Sequence, residues 1–188
     1  MFVKVAQFLN IMLYTLVAGV MWGTWLSLGR TMTEYDAATF LADGKHMITN
    51  LATVMPVLMI ATGVLSLVVV ILLFRRGATA AAWLTLAGLL ALVAVIAVTL
   101  AVEVPIDNQV KTWTTATLPA DWEEIRSRWA NFHTLRTFLS LAGLAAAVAA
   151  SLARQRPLPA APLPPSGRSH EHIVDPPGTG AVERPSAR

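Results

Sequence analysis

A polar face near the end of the apolar part of the chain has the side chains and the spacing of a reaction site. Trp129, His133, Arg136 and Ser140 follow one another at intervals of four, three and four residues, so they share one face of an α-helix. A neutral histidine removes protons near neutral pH as a general base, and an arginine stabilises a developing anion. The face therefore predicts proton abstraction from a bound molecule.

Further candidates lie in the hydrophilic stretch before this face. Glu103 and Asn108 follow the third apolar segment, and Trp113 comes next in a threonine-rich stretch. Ionisable residues close to a membrane segment usually face the bundle interior or a wet cavity, so Glu103 and Asn108 are expected to lie opposite the polar face. The predicted catalytic residues are His133, Arg136 and Asn108, and the predicted substrate-binding residues are Trp129, Trp113 and Glu103.

Each of these residues also has a structural interpretation. Arg136 would pair with Glu103 as a clasp between two helices. His133 would bond a loop carbonyl, and Trp129 would anchor at the membrane interface. His46, before the second apolar segment, forms with His133 the basis of a haem or metal alternative. No third metal ligand is evident in the sequence, so we predict neither a metal nor a cofactor.

The segments that must position these residues are long and apolar. The chain is 55% hydrophobic and 13% charged, whereas soluble proteins carry roughly twice that charged fraction. Stretches of roughly 20 apolar residues cross a membrane as helices. We predict an all-α integral membrane four-helix bundle, with an outer-side loop and helix insertion between spans three and four. The predicted spans are about 5–29, 51–74, 79–102 and 131–153.

Basic residues gather on one side of the predicted membrane, and the two long connecting segments on the other side are richer in acids. Cytoplasmic loops carry an excess of lysine and arginine. We therefore predict a multi-pass protein of the cell membrane with both termini in the cytoplasm. The basic residues are Lys4, Arg75, Arg76, Arg154 and Arg156.

The sequence divides into a membrane domain at 1–153 and a tail at 154–188. The tail is rich in proline and arginine, so it is predicted to be disordered and cytoplasmic. Membrane topology accounts for the net charge of +3, and we expect the lipid bilayer rather than nucleic acid as a partner. The absence of cysteine excludes disulfides and thiol redox chemistry. The sequence does not indicate an oligomeric state.

Local signals predict how the helices pack and where they break. Gly19 and Gly23 form a small-xxx-small pair, which predicts close approach of a neighbouring helix. Pro56 predicts a kink in the second span, and Pro105 predicts an end or a kink in the third. No breaker interrupts the chain from Asp121 onward, so one long helix should project outward and then form span four. Spans two and three lack a polar face, which argues against a channel or transporter.

These motifs resemble a family of small four-span membrane proteins known as anthrone oxygenase-like. The resemblance covers roughly residues 5–153 and includes the Gly-xxx-Gly of span one and the proline of span two. Its more specific elements are the sequence VPIDN at 104–108 and the pattern Arg128-Trp129-xxx-His133-xx-Arg136-Thr137. The resemblance implies oxidation of an anthrone to an anthraquinone with O2 and no evident cofactor.

The resemblance also suggests roles for the candidate residues, with a hydrophobic aromatic small molecule as the expected ligand. An anthrone has an acidic C–H group between two aromatic rings, which a neutral His133 would deprotonate. Arg136 and Asn108 would stabilise the enolate oxygen, and the two tryptophans would stack on the rings. The anion would then react with O2 directly. The alternative is a non-enzymatic structural or lipid-interacting membrane protein, in which Glu103 and Arg136 form a structural pair.

Overall fold

The computed structural model describes residues 2–153, so the predicted disordered tail at 154–188 lies outside the described part of the chain. The described residues form helices joined by short turns, with no strand among them. The α-helices are α1 (Phe2–Thr24), α2 (Ala37–Arg75), α3 (Thr79–Val98), α4 (Val104–Thr112) and α5 (Trp122–Leu152). One π-helical turn, Trp25–Gly29, follows α1, and a second, Thr99–Glu103, connects α3 to α4. A short 3-10 helix covers Met32–Glu34.

Four helical stretches are long and apolar enough to cross a membrane, as the sequence predicts. The prediction of an all-α membrane four-helix bundle is thereby confirmed, and the chain is a multi-pass membrane protein. The single long helix predicted from Asp121 onward is also found, as α5. The four stretches are Phe2–Glu34, Ala37–Arg75, Thr79–Thr112 and Trp122–Leu152.

The long helices alternate in direction around a common core. α1 packs against α2 and α5, and α3 packs against the same two helices, which is the arrangement of an up-down-up-down bundle. One end, here called the turn end, holds a core cluster of Val3, Val69, Leu73, Ala82 and Ala150. The opposite end, here called the loop end, holds the connections between α1 and α2 and between α3 and α5. Its core cluster includes Met32, Phe40, Ile106, Val110 and Trp129.

The turn between α2 and α3 is short because a glycine in it adopts the left-handed backbone conformation. Gly77 has a φ of 70°. Its N–H donates to the carbonyl of Phe74 at 3.0 Å, and the N–H of Ala78 donates to the carbonyl of Leu73 at 3.0 Å. This bond pattern satisfies two carbonyls at the end of α2 and is the usual way in which a helix stops at glycine.

The second helix begins earlier than its apolar run. The predicted span starts near residue 51, but α2 starts at Ala37. Its first part, residues 37–50, is too polar to be predicted as a membrane span from the sequence. Asp36 caps it, because its carboxylate accepts a bond from the N–H of Thr39 at 2.7 Å. The helix continues through Pro56. The extra turns carry Phe40 and Leu41 into the core at the loop end.

The helical path does not end at Pro105. The Thr99–Glu103 turn joins α3 to α4, and the N–H of Val104 donates to the carbonyl of Thr99, five residues earlier. Pro105 then lies in the first turn of α4, where the missing N–H of proline costs little. The chain therefore stays helical as far as Thr112.

The predicted packing role of Gly19 and Gly23 is not found among residues 2–153. Both are exposed on α1, and a Cβ added at either would meet no atom of the described residues within 4 Å. The close approach occurs instead between α3 and α5, where a Cβ on Gly88 would lie 3.1 Å from the carbonyl oxygen of Gly143. A Cβ on Gly143 would lie 3.0 Å from the ring of Tyr14. Small residues therefore bring α3 and α5 together in the middle of the bundle.

Candidate active site

A cavity of about 290 Å³ lies inside the loop end of the bundle. All four long helical stretches contribute to its wall. Along α2 its lining runs from Met47 to Met59, which is about 18 Å at a rise of 1.5 Å per residue. Ligand cavities in proteins usually start at about 300 Å³, so this space suits a small molecule that enters the bundle lengthwise.

Part of the cavity lining is apolar and adaptable. It contains four methionines from α1 and α2, together with other apolar residues such as Leu51 and Pro56. Methionine side chains are flexible and polarisable, and their sulfur atoms make favourable contacts with aromatic rings. This part of the lining is therefore well suited to a flat aromatic ligand. The methionines are Met21, Met47, Met55 and Met59.

The polar part of the lining, from the third helical stretch and from α5, is built around one guanidinium group. Nη2 of Arg136 lies 2.8 Å from Oε2 of Glu103 and 3.1 Å from Nδ1 of His133. Nη1 of the same arginine donates to Oγ1 of Thr99 at 2.9 Å. The three ionisable residues all line the cavity and are at least nine-tenths buried, with Glu103 only 1% exposed. The polar wall, here Glu103, His133 and Arg136, is thus a connected network that joins the π turn after α3 to α5.

The contact with Arg136 determines where the proton of a neutral His133 resides. A guanidinium group only donates hydrogen bonds, so Nδ1 of His133 accepts and the ring proton is on Nε2. Nε2 is buried and has no hydrogen-bond partner among residues 2–153. Oε1 of Glu103 is likewise buried without a partner in the described part of the chain. Nε of Arg136 is a second buried donor without a partner among residues 2–153, so the polar wall contains two free donors and one free acceptor on three side chains that line the same cavity.

Trp129 holds the histidine ring in place. The two rings stack with their centroids 4.9 Å apart and an interplanar angle of 5°. Nε1 of Trp129 donates to Oδ1 of Asp107 at 3.1 Å, so the indole is itself fixed by α4. Asp107 lines the cavity as well, although sequence reasoning did not select it. Its spacing of four residues from Glu103 would have placed both carboxylates on one helix face.

The π turn after α1 passes near the histidine ring. A Cβ added to Gly29 would lie 3.6 Å from Cδ2 of His133, which is an ordinary van der Waals distance, so alanine would also fit at this position. Nε1 of Trp25 donates to Oγ1 of Thr134 at 3.0 Å, which ties the same turn to α5. The imidazole itself is held by Trp129 and Arg136.

The structure brings five of the six predicted site residues to the cavity. His133, Arg136, Glu103 and Trp129 lie in its wall, and Asn108 lies at its exposed rim. At the rim, Nζ of Lys111 donates to Oδ1 of Asn108 at 3.3 Å.

The sixth predicted residue, Trp113, does not line the cavity. It is buried in the core cluster at the loop end, and its carbonyl accepts a bond from Nζ of Lys45 at 2.6 Å. Ser140 is buried and donates to the carbonyl of Thr137 at 2.7 Å. His46 is exposed on α2 and is not among the cavity residues. Within the described part of the chain, no three His, Asp or Glu residues form a group suited to a metal ion.

Comparison with known proteins gives one family match. The family described as anthrone oxygenase matches residues 45–146, which is more than half of the 188-residue chain. The matched region runs from α2 into α5 and includes the whole polar wall. No curated protein and no solved structure matches the chain.

Proposed function

Because this chain belongs to the anthrone oxygenase family, we propose that it uses O2 to oxidise a flat, apolar aromatic molecule that carries an acidic C–H group. The reaction takes place in the cavity at the loop end of the bundle. The proposed substrate class is an anthrone or a molecule of similar shape and acidity, which enters from the lipid or from the rim.

The proposal depends on one observation: methionines and a connected group of charged and polar side chains line the same cavity. The methionines offer adaptable apolar contact to aromatic rings. The polar wall offers a buried carboxylate, a buried guanidinium and a histidine N–H. An anthrone matches both, because its rings are apolar and its carbonyl becomes an enolate oxygen after deprotonation. Donors fixed in a dry cavity stabilise such an anion more than water does.

The proposed reaction is balanced without any further reductant. A base in the polar wall removes one proton from the CH2 group, and the C–H electron pair passes into the enolate. The anion forms a C–O bond with O2 to give a peroxide. Loss of the second C–H proton forms the new carbonyl group as the O–O bond breaks. One oxygen atom of O2 ends in the quinone, and the other leaves as water with both protons.

Orientation in the membrane is part of the proposal. Lys4, Arg75 and Arg76 lie at the turn end, and Arg154 and Arg156 follow α5 in the sequence. The excess of basic residues supports a cytoplasmic location for that end and for both termini. The cavity then opens in the outer half of the membrane, with Asn108 and Lys111 at its rim.

The test is quinone formation by the detergent-purified protein, with O2 consumption measured in parallel. We expect one O2 consumed for each quinone formed, at a rate well above that of the protein-free solution. His133→Ala should lose the activity, because it removes the donor at Nε2 and one of the three bonding partners of Arg136. His46→Ala is the matched control, since it removes an exposed histidine outside the cavity. Full activity in the His133 variant would refute the proposal.

A second candidate function is structural, and the buried ion pair favours it. Glu103 and Arg136 connect the π turn after α3 to α5 at 2.8 Å, as a clasp between helices would. In this case the wild-type protein shows no oxidation of any anthrone, and loss of Arg136 lowers stability alone. Activity that depends on His133 would exclude a purely structural role.

A further inference from the structure

We infer that Glu103 is the base of the proposed reaction and that His133 donates a hydrogen bond to the enolate oxygen. The inference rests on the proposed function and assigns the two roles within its polar wall. It reverses the assignment expected from the sequence, in which His133 takes the proton.

The histidine is unsuited to act as the base because its lone pair is occupied. In the neutral ring one nitrogen accepts and the other carries the proton. Nδ1 faces Nη2 of Arg136 at 3.1 Å, and a proton at Nδ1 would set two donors against each other. The proton therefore stays on Nε2, which lies near the backbone carbonyl of Met21 but makes no hydrogen bond among residues 2–153. Stacking on Trp129 opposes a change of ring orientation.

Glu103 has a side-chain atom with a free lone pair, which His133 lacks. Its Oε2 is held by Arg136 at 2.8 Å, which fixes the carboxylate, while Oε1 is buried and has no partner within residues 2–153. Asp107 is the other carboxylate in the lining, but it is only partly buried and its Oδ1 accepts the bond from Trp129. A general base must hold a free lone pair at a fixed position within reach of the substrate proton. Glu103 Oε1 supplies the lone pair, and a small shift of the side chain must bring this buried oxygen to the surface of the cavity.

With Glu103 as the base, both protons of the CH2 group are accounted for in the reaction. Its Oε1 takes the first proton of the CH2 group, and the negative charge moves to the enolate oxygen beside His133 Nε2–H. After the carbon bonds to O2, Glu103 returns this proton to the terminal peroxide oxygen. It then removes the second C–H proton as the O–O bond breaks, and this proton joins the departing hydroxide to form water. Arg136 and Trp129 act as positioning residues.

The decisive experiment measures proton abstraction without oxidation. Wild-type protein and anthrone are mixed in D2O with O2 excluded, and the exchange of the CH2 protons for deuterium is followed by NMR against a protein-free sample. Glu103→Gln keeps the size of the side chain and its hydrogen bond to Arg136 but has no basic oxygen. We expect this variant to lose about 100-fold or more of the catalysed exchange rate.

His133→Gln distinguishes the two assignments, because its side-chain amide retains an N–H donor and contains no base. We expect it to keep exchange within about tenfold of wild type, since the anion keeps a donor. Glu103→Asp preserves the charge of the pair and withdraws the carboxylate from the substrate. It should also lose exchange, and it gives a folded alternative if Glu103→Gln proves unstable.

The outcomes separate the inference from the proposed function. Exchange that survives in both Glu103 variants but vanishes in His133→Gln would overturn the role assignment and leave the oxidation proposal intact. A wild-type protein that does not accelerate exchange at all would overturn the proposed function, and this inference with it.

Discussion

Arg136 and His133 lie one turn apart on α5, and Nη2 of the arginine is 3.1 Å from Nδ1 of the histidine. The same nitrogen is 2.8 Å from Glu103. A single guanidinium group therefore sets the proton position of the imidazole and balances the charge of the carboxylate. Any change at residue 136 should alter both partners together, so the first prediction concerns this residue.

Arg136→Met should destabilise the bundle by about 3–5 kcal/mol, because it leaves the buried carboxylate of Glu103 without its partner. The double variant Glu103→Gln/Arg136→Met should recover most of this loss, since the uncompensated charge is gone. Unfolding by denaturant in detergent micelles measures the free energies. If the single and double variants are equally unstable, the ion pair does not explain the effect.

Trp129 and Asp107 should behave as a coupled pair. Trp129→Phe keeps a ring on His133 but removes the N–H that donates to Asp107, which should cost about 1 kcal/mol. It should also lower turnover, because the histidine ring is less firmly held. The measurement is a double-mutant cycle with Asp107→Ala. Purely additive effects of the two substitutions on stability would contradict the coupling.

Gly88→Ala should destabilise the contact between α3 and α5. The new Cβ would lie 3.1 Å from the carbonyl oxygen of Gly143, so the two backbones must move apart by a few tenths of an ångström, at a cost of about 1–3 kcal/mol. This cost is expected to exceed the gain of about 1 kcal/mol that alanine brings to a helix. Gly19→Ala is the matched control, because it has the same gain and its Cβ meets no atom of residues 2–153 within 4 Å. Thermal unfolding should therefore rank Gly19→Ala at or above wild type and Gly88→Ala below it. The reverse order would contradict this packing.

The cap at the start of α2 should make stability depend on pH in the acid range. The bond from the Thr39 backbone N–H lowers the pKa of Asp36 below its usual value of 3.8. A carboxylate with a lowered folded-state pKa stabilises the fold above its unfolded pKa, and this contribution is lost as pH falls through the folded pKa. Asp36→Ala should therefore lower the Tm at pH 7 and have a progressively smaller effect below about pH 4. A Tm difference that does not change with pH would show that the carboxylate charge is unimportant.

The proposed orientation can be tested directly, because the chain has no native cysteine. Ala80 lies at the turn end and Ala116 at the loop end, and both are exposed. Each is replaced by cysteine in a separate variant, Ala80→Cys and Ala116→Cys. A membrane-impermeant maleimide added to intact cells should label residue 116, while residue 80 should react only after the membrane is opened. The opposite labelling pattern would invert the proposed topology.

The sequence predicts the membrane helices well because their signal is local. A run of apolar residues long enough to cross a bilayer has few other uses, and the breaker-free stretch after Asp121 does form one helix. The beginning of α2 is harder to predict, since residues 37–50 are too polar to register as a membrane segment. They are helical because Asp36 caps them and because Phe40 and Leu41 pack into the core.

Helix packing was less accessible to prediction from the sequence. Gly19 and Gly23 have the small-residue spacing of a helix interface, but they occupy the exposed side of α1. The glycines that do bring helices together, Gly88 and Gly143, are far apart in the chain and share no short motif. Composition alone does not show which face of an apolar helix turns inward when lipid and core are equally apolar.

In the candidate site, too, local spacing could be predicted from the sequence, whereas contacts between side chains could not. The spacing of Trp129, His133 and Arg136 correctly placed the three on one face that lines a cavity. The proton position of His133 could not be predicted, since it depends on the distance between two side-chain nitrogens. Asp107 was overlooked because its function is indirect, through the indole N–H of Trp129.

Both π turns lie beside the polar wall, one before the Met32–Glu34 helix and one containing Glu103 itself. A π turn contains one more residue than the α-helical turn it replaces. Removing one residue from Thr99–Glu103 would therefore restore regular helix and leave α4 in its present rotation relative to α3. The effect of the extra residue is confined to the turn: its deletion would change the spacing of Thr99 and Glu103, which both contact Arg136, while the helices on either side keep their register.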